Sequence, residues 1–244
     1  MSKYSSKDVI LLIDGYNVLG QMTELTDAKE AITEDVTGFS DAWEQHEYVG
    51  VQRYELSQNG FFNDAALSVN AAFNEKQGDS RVVCFGYEGN TAGKAFVGLG
   101  GAIETRFERI ATQKNLHKAN IQYICDGESS DGDILLALTA KTADGDTESA
   151  SVDNGADSTG GAYVFLQVTA LDLGGYDNIV VTVRSSTNDS DWANLQAFTA
   201  VTAAPAAQRI LKTGTIPRYL AVSWAFTGTG SDPSATIFVG AARL

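Results

Sequence analysis

Histidine is nearly absent from this chain: among 244 residues only His46 and His117 carry an imidazole, and they lie far apart in sequence. Neither has a Cys or Ser partner in a recognisable motif, so a zinc site or a Ser-His-Asp triad has little to be built from. Cysteine is as scarce. Cys84 and Cys125 each sit inside an apolar, strand-like run, VVCF and IQYIC, where a buried thiol is expected rather than a disulfide. No secretory signal opens the sequence, so a cytosolic setting is expected. No apolar run approaches the roughly 18 residues of a membrane span, and no membrane partner is expected. Cations are few as well, 17 Lys and Arg against 31 Asp and Glu. Tight wrapping on nucleic acid needs clustered Lys and Arg and is therefore not expected. Only 3 prolines punctuate the chain, so glycine has to supply the turns.

Glycine is plentiful, with 24 residues alongside many Thr, Val, Ser and Ala, a mixture that favours short strands and flexible turns. A length of 244, with 43% hydrophobic and 20% charged residues, fits a globular protein of one large or two small domains. The net charge of −14 is concentrated in two blocks. Residues 24–58 hold nine acidic and two basic side chains, and residues 127–157 hold eight and one, so each block carries −7 and the remainder sums to zero. Such blocks either keep a surface solvated or line a passage that DNA must cross without sticking.

The chain opens VILLIDGYNVLGQ, a short strand running into the turn pair Asp14-Gly15, then a second short strand. An acidic segment follows, holding Thr37-Gly38-Phe39-Ser40-Asp41 and Trp43, and is expected to form a long loop over 24–48. Residues 49–57 alternate, with Tyr54 and Leu56 to one side and Val49 and Val51 to the other, and the strand is expected to stop at the turn dipeptide Asn59-Gly60. Asn63 or Asp64 can cap a helix in which Leu67 and Ala71 lie one turn apart, with Gly78 ending it. Strands are expected over 81–87, 94–106 and 118–125, with a helical or turn passage over 107–117. Residues 127–161 read as loops around one strand, 134–141. The last part is the clearest β pattern: 162–171 and 178–186 alternate, in 218–226 Leu220, Val222, Trp224 and Phe226 fall on one face, and 235–243 forms the final strand. Strands recurring at this spacing predict a sandwich for the last part of a mainly β chain, with domains divided as 1–129 and 130–244.

Several short motifs invite chemistry. VILLIDGYN is similar to the opening of the NYN branch of PIN-like nucleases, where Asp14 and Asn17 would help hold a divalent metal. That fold needs further carboxylates at neighbouring parallel strand ends and helical crossovers between them, and neither is patterned here. Gly98-Leu99-Gly100-Gly101-Ala102, with Asp126 later, superficially matches a dinucleotide fingerprint, but AIETRF continues as a strand rather than starting a helix. Asp131-Gly132-Asp133, Asp144-Gly145-Asp146 and Asp189-Ser190-Asp191 are turn sequences that could offer oxygens to Ca²⁺, though none has the full loop spacing.

The order of pieces in the first half carries a resemblance of another kind. A D-G-Y strand end, an acidic T-x-F-x-D-x-W segment, a V/L-rich strand and G-F-F before a short helix resemble the opening of the major tail, or tail-tube, proteins of siphophage-type tailed phages. The second half resembles the C-terminal halves of some phage tail proteins through VVTVRSSTNDSDWANLQAF and IPRYLAVSW. The resemblance implies a tail-tube-type β-sandwich with one short helix, followed by a second sandwich that is either a diverged tube-fold duplicate or an appended domain. It implies a structural virion protein with no catalytic residue, cofactor or metal, located in the virion tail and assembled in the host cytoplasm. Its partners would be copies of itself, as hexameric or trimeric pseudo-hexameric rings stacked into a tube, with tape-measure, terminator and distal tail proteins at the ends and genomic DNA passing without specific binding. Thr37, Phe39, Asp41, Trp43, Glu44 and Tyr48 would contact neighbouring subunits or rings, exposed aromatics being effective interface anchors. Sandwiches of the second kind also occur in sugar-binding modules and adhesins, where Trp192, Tyr219 and Trp224 would be the candidate platform, although Trp224 sits on the predicted core face.

Overall fold

Apolar runs that lack alternation form strands buried on both faces. The structure, a computed structural model, describes residues 9–37, 42–65, 68–111, 115–125 and 129–244. In β1 (Ile10–Ile13), Leu11 and Ile13 enter one core while Ile10 and Leu12 enter another. The chain reverses through Asp14-Gly15 into β2 (Tyr16–Asn17), as expected. β3 (Met22–Asp35) and β4 (His46–Phe61) then pair with each other in register from Met22↔Gly60 to Asp35↔His46. This corrects the reading of 24–48 as a loop. Over 24–48 the hairpin satisfies its backbone through the ladder, while its side chains show no hydrophobic period. Asn59-Gly60 does not turn either; it lies inside β4, where a Cβ at Gly60 would strike the backbone of Gln21 and Met22.

The one α-helix among the described residues, α1 (Val69–Phe73), is shorter than expected. The Asn63 side chain accepts from the Ala65 N–H, the Ser68 hydroxyl bonds back to Asn63 and Ala65, and Gln21 takes the Val69 N–H, so side-chain bonds tie down the approach to the helix. Leu67 lies outside the described residues. Glu75, at φ 61, stands just past the helix, upstream of Gly78. β5 (Ser80–Gly86) pairs with β1, and β6 (Ala95–Ile110) runs on as a strand through 107–110, the first part of the stretch read as helix or turn. β7 (Lys118–Cys125) joins β6 to β4.

β8 (Ser129–Lys141) follows β7 along the same edge of β6, then pairs with β16 (Ser234–Arg243) on its other side. β9 (Gly145–Asp146), β10 (Val152–Asp153), β12 (Asn178–Ser186), β13 (Ala193–Ala197) and β15 (Tyr219–Thr227) form a second, five-stranded sheet. β11 (Ala162–Asp172) and β14 (Ala206–Lys212) complete the first sheet beside β16. β13 and β14 were not legible in the sequence. They are edge strands, β13 mostly exposed and β14 mostly half-buried, so neither alternates cleanly.

The protein is mainly β, with two antiparallel sheets packed as a sandwich and three cores in series. One core lies between the two sheets, with Val164, Leu166, Ile237 and Val239 facing Val181, Val222 and Phe226. The opposite face of β11 and β16 gives Phe165 and Phe238 to a second core shared with Ile10, Leu12, Cys84 and Phe96 from the first half. A third, around Phe73, Phe85, Ile121 and Tyr123, closes under α1. Gln167, fully buried, bolts the halves together: its Oε1 accepts from Gly15 N at 2.6 Å and its Nε2 donates to Val82 O at 3.0 Å. Gly98 in β6 leaves room for the Phe165 ring, which a Cβ there would overlap. The division at 129/130 thus falls at the start of a strand that pairs with both halves.

Candidate functional site

The β3–β4 hairpin leaves the body of the protein. β4 pairs with β7 only from Glu55↔Ile124 to Phe61↔Lys118, and closer to the tip β3 and β4 have no strand partner but each other among the described residues. Residues 46–54 of β4 alone extend about 30 Å at roughly 3.3 Å per residue. The root is anchored by Tyr54 and Tyr87, whose hydroxyls both donate to Asp27, and by Lys29, which pairs with Asp131 at 3.1 Å. Burial, and then the bonded Asp27 carboxylate, push the Tyr54 phenol well above its ordinary value, so it remains a donor. Beyond that root, every side chain the structure describes over 30–37 and 42–53 is exposed. The side chains of Val49 and Val51 lie outside what the structure describes.

Register fixes which groups share a face. Thr33↔Tyr48 and Asp35↔His46 are opposed on one face, Glu34↔Glu47 on the other. Thr37 holds the tip rather than standing open: its N–H donates to Asp35 Oδ1 at 2.9 Å and its hydroxyl accepts from Gln45 N at 2.8 Å. Hydrogen bonding by the Thr37 side chain, then its N–H, keeps the Asp35 carboxyl below its usual range. Glu44 pairs with His46 Nε2 at 3.2 Å. Trp43 is 84% exposed and Tyr48 49% exposed. Phe39 and Asp41 lie outside the described residues. Ile32 and Val36 join the exposed apolar set and were passed over in the sequence. Their signal is an apolar side chain placed among carboxylates on a strand with no core to face.

Other sequence candidates are spent on structure. The Asp14 carboxylate accepts from Val82 N at 2.8 Å and from Arg81 Nε, and Asn17 accepts from Leu19 N. β1 is antiparallel to both its neighbours, so the nuclease reading of Asp14 and Asn17 fails on the fold it requires. Arg81, buried, also reaches Glu104 Oε2 and Ala72 O, each at 2.8 Å. Burial pushes the Glu104 carboxyl up to about 7 against the pull of Arg81 and Gln77. Gly98 to Ala102 lie within β6, and Asp126 is outside the described residues. Asp131-Gly132-Asp133 is strand rather than turn. Asp144 and Asp146 accept backbone N–H groups of Phe226 and Glu148, and Asp189 and Asp191 accept from Ser151 and Asn188. Trp224 is buried, with its Nε1 donating to Ala143 O at 2.8 Å, while Trp192 and Tyr219 are half-buried, so these aromatics do not make an open platform. Cys84 is a buried thiol, raised to about 12 by that burial.

No protein-family model matches this sequence, and no curated protein does. Solved structures similar to it include phage-type tail components. The tail of an empty gene transfer agent particle, refined with C6 symmetry, aligns at 15% identity and a TM-score of 0.39 over 52% of this chain and 98% of that one. The Dit protein (gp 19.1) of SPP1 aligns at 8% identity and a TM-score of 0.31 over 96% and 98%. A chain of infectious bursal disease virus, Gx strain, aligns at 12% and 0.27 over 96% and 56%. All three scores lie below 0.5, so the functional reading rests on this chain's own residues.

Proposed function

We propose that this chain is a structural protein of a virion tail, a tail-tube subunit whose copies join into rings that stack as a hollow tube for DNA passage. The protruding β3–β4 ribbon carries this reading. A two-stranded ribbon is at best marginally stable in water. This one holds no core beyond Tyr54, yet ends in exposed Trp43, Tyr48, Ile32 and Val36. It stabilises nothing in the lone subunit, and its unpaired outer edge is a template for another chain. Heterologous contacts of this kind close into rings or propagate as filaments. The resemblance of the D-G-Y and T-x-F-x-D-x-W pieces to tail-tube proteins supports the same reading. Net negative charge suits a bore that repels DNA rather than binding it. Tape-measure, terminator and distal tail proteins would meet the tube at its ends.

Electron microscopy of concentrated protein tests the reading directly, with hollow filaments expected. Deleting residues 33–44 removes the tip and should leave subunits with unchanged circular dichroism that no longer stack. Tubes of normal length from that variant would overturn the role given to the ribbon.

A further inference from the structure

Strand β4 carries opposite chemistry at its two ends. Toward His46 lies the ribbon tip, and residues 30–47 contain six Asp and Glu and no Lys or Arg. Glu34 and Glu47 face each other directly across the ladder, a like-charge pair that weakens the ribbon on its own. Toward Phe61 the character inverts. Among the described residues of 106–118, Arg106 pairs with Glu108 at 2.7 Å, which leaves Arg109 and Lys118 as cations with no carboxylate opposite, in a chain of net charge −14. There an open hollow of about 560 Å³ is lined by Gln21, Phe61, Phe62, Leu116 and His117 among others. Leu116 is 71% exposed, and Phe61 and Ile110 also present apolar surface to solvent. Lys118 stands at the same end, in register with Phe61 on one side and Ile110 on the other. Arg109 lies over the Phe62 ring, 5.6 Å from its centroid.

We infer that this hollow is the receptor for the ribbon tip of a second copy of the chain. Trp43, with Val36 and Tyr48, would bury against Phe61 and Leu116, while Glu44 and Glu47 meet Arg109 and Lys118. The inference rests on the assembly reading above and adds to it the receiving surface. The occupant is argued from complementarity on both counts. The tip offers exposed aromatics among carboxylates, and the hollow offers exposed apolar side chains with Arg109 and Lys118 at its edge. Its volume lies within the range of pockets that enclose small ligands, enough for an indole. The two poles stand about 50 Å apart along the 16 residues of β4 at roughly 3.3 Å per residue, so one chain cannot satisfy itself. The contact is head-to-tail, and repetition gives a filament along β4 rather than a closed dimer. Cations brought by the second copy also relieve the Glu34–Glu47 repulsion.

The test is a disulfide ladder in the full chain. In a Cys125→Ser background, Ala42→Cys beside the tip and Asn115→Cys beside the hollow leave Trp43 and Leu116 intact. Oxidation of concentrated protein should give a ladder of multimers on a non-reducing gel, whereas Ala42→Cys alone should stay monomeric. Charge exchange gives the second arm. Glu44→Lys with Glu47→Lys, or Lys118→Glu alone, should each reduce the multimer fraction at least about tenfold, and combining Lys118→Glu with Glu47→Lys should restore it. Lys118 is solvent-exposed, so its reversal tests the contact without disturbing a core. Dimers from Ala42→Cys alone, or filaments without a ladder, would overturn the docking and leave the tube reading standing. Absence of both filaments and ladder would overturn the two together.

Discussion

A single arginine ties together four elements of the first half. Arg81 in β5 bonds Asp14 after β1, Glu104 in β6 and the Ala72 carbonyl of α1. Its partners lie 67, 23 and 9 residues away in sequence. Asp14-Gly15 was legible as a turn because the residue pair itself encodes the conformation. The role of Arg81 and Glu104 was not, because nothing local marks a charge that will be buried. Burial raises the Glu104 carboxyl to about 7 from an ordinary value near 4.5. The folded state therefore holds a proton that the unfolded chain has released between those values. That contribution to stability is complete below about 4.5 and is lost as pH rises through about 7. The urea midpoint should accordingly fall across this window, and Glu104→Gln, neutral throughout, should flatten the dependence. An equally steep fall in that variant would place the titration elsewhere. Gly15 is the second test at this scale. It adopts φ 82, and a Cβ there would overlap Ala206 N and Val168 O. Gly15→Ala should lower stability by at least the 1–2 kcal/mol or so of a left-handed non-glycine residue, and the melting temperature by at least about 2 °C. An unchanged melting temperature would show that the β14 backbone yields.

At the level of elements, strands with a buried face announced themselves and the ribbon did not. In β12, Ile179, Val181 and Val183 are buried in alternation, and the pattern of two was visible along the sequence. The ribbon has no buried face past Tyr54, so residues 24–48 carried no period, and composition alone suggested a loop. Only the cross-strand ladder shows that the tip residues are held at the end of a lever. Hydrogen exchange should separate the two kinds of strand. Amides of residues 30–35 and 46–53 should exchange far faster than those of β11 and β16 in dilute protein, and slow on assembly. Ribbon amides as protected as the core in the monomer would mean that the ribbon has a partner within its own subunit.

For the whole molecule, the halves should behave as one. Phe96 of the first half packs edge-on against Phe165 and Phe238 of the second, with ring centroids 5.6 and 5.8 Å apart. Gln167 and β8 join the same two regions through hydrogen bonds. Calorimetry should show one transition with equal calorimetric and van't Hoff enthalpies. Two separated transitions would establish the division at 129/130 as a thermodynamic boundary. The sequence by itself determined the β character, most core faces and the acidic block that became the ribbon, because burial imposes a period of two and turns demand particular residues. Tertiary structure alone decided that the block is a ribbon and not a loop, that the halves share a core, and that opposite charge lies at the two ends of β4. Those properties depend on residues distant in sequence meeting in space, and no local preference records such meetings.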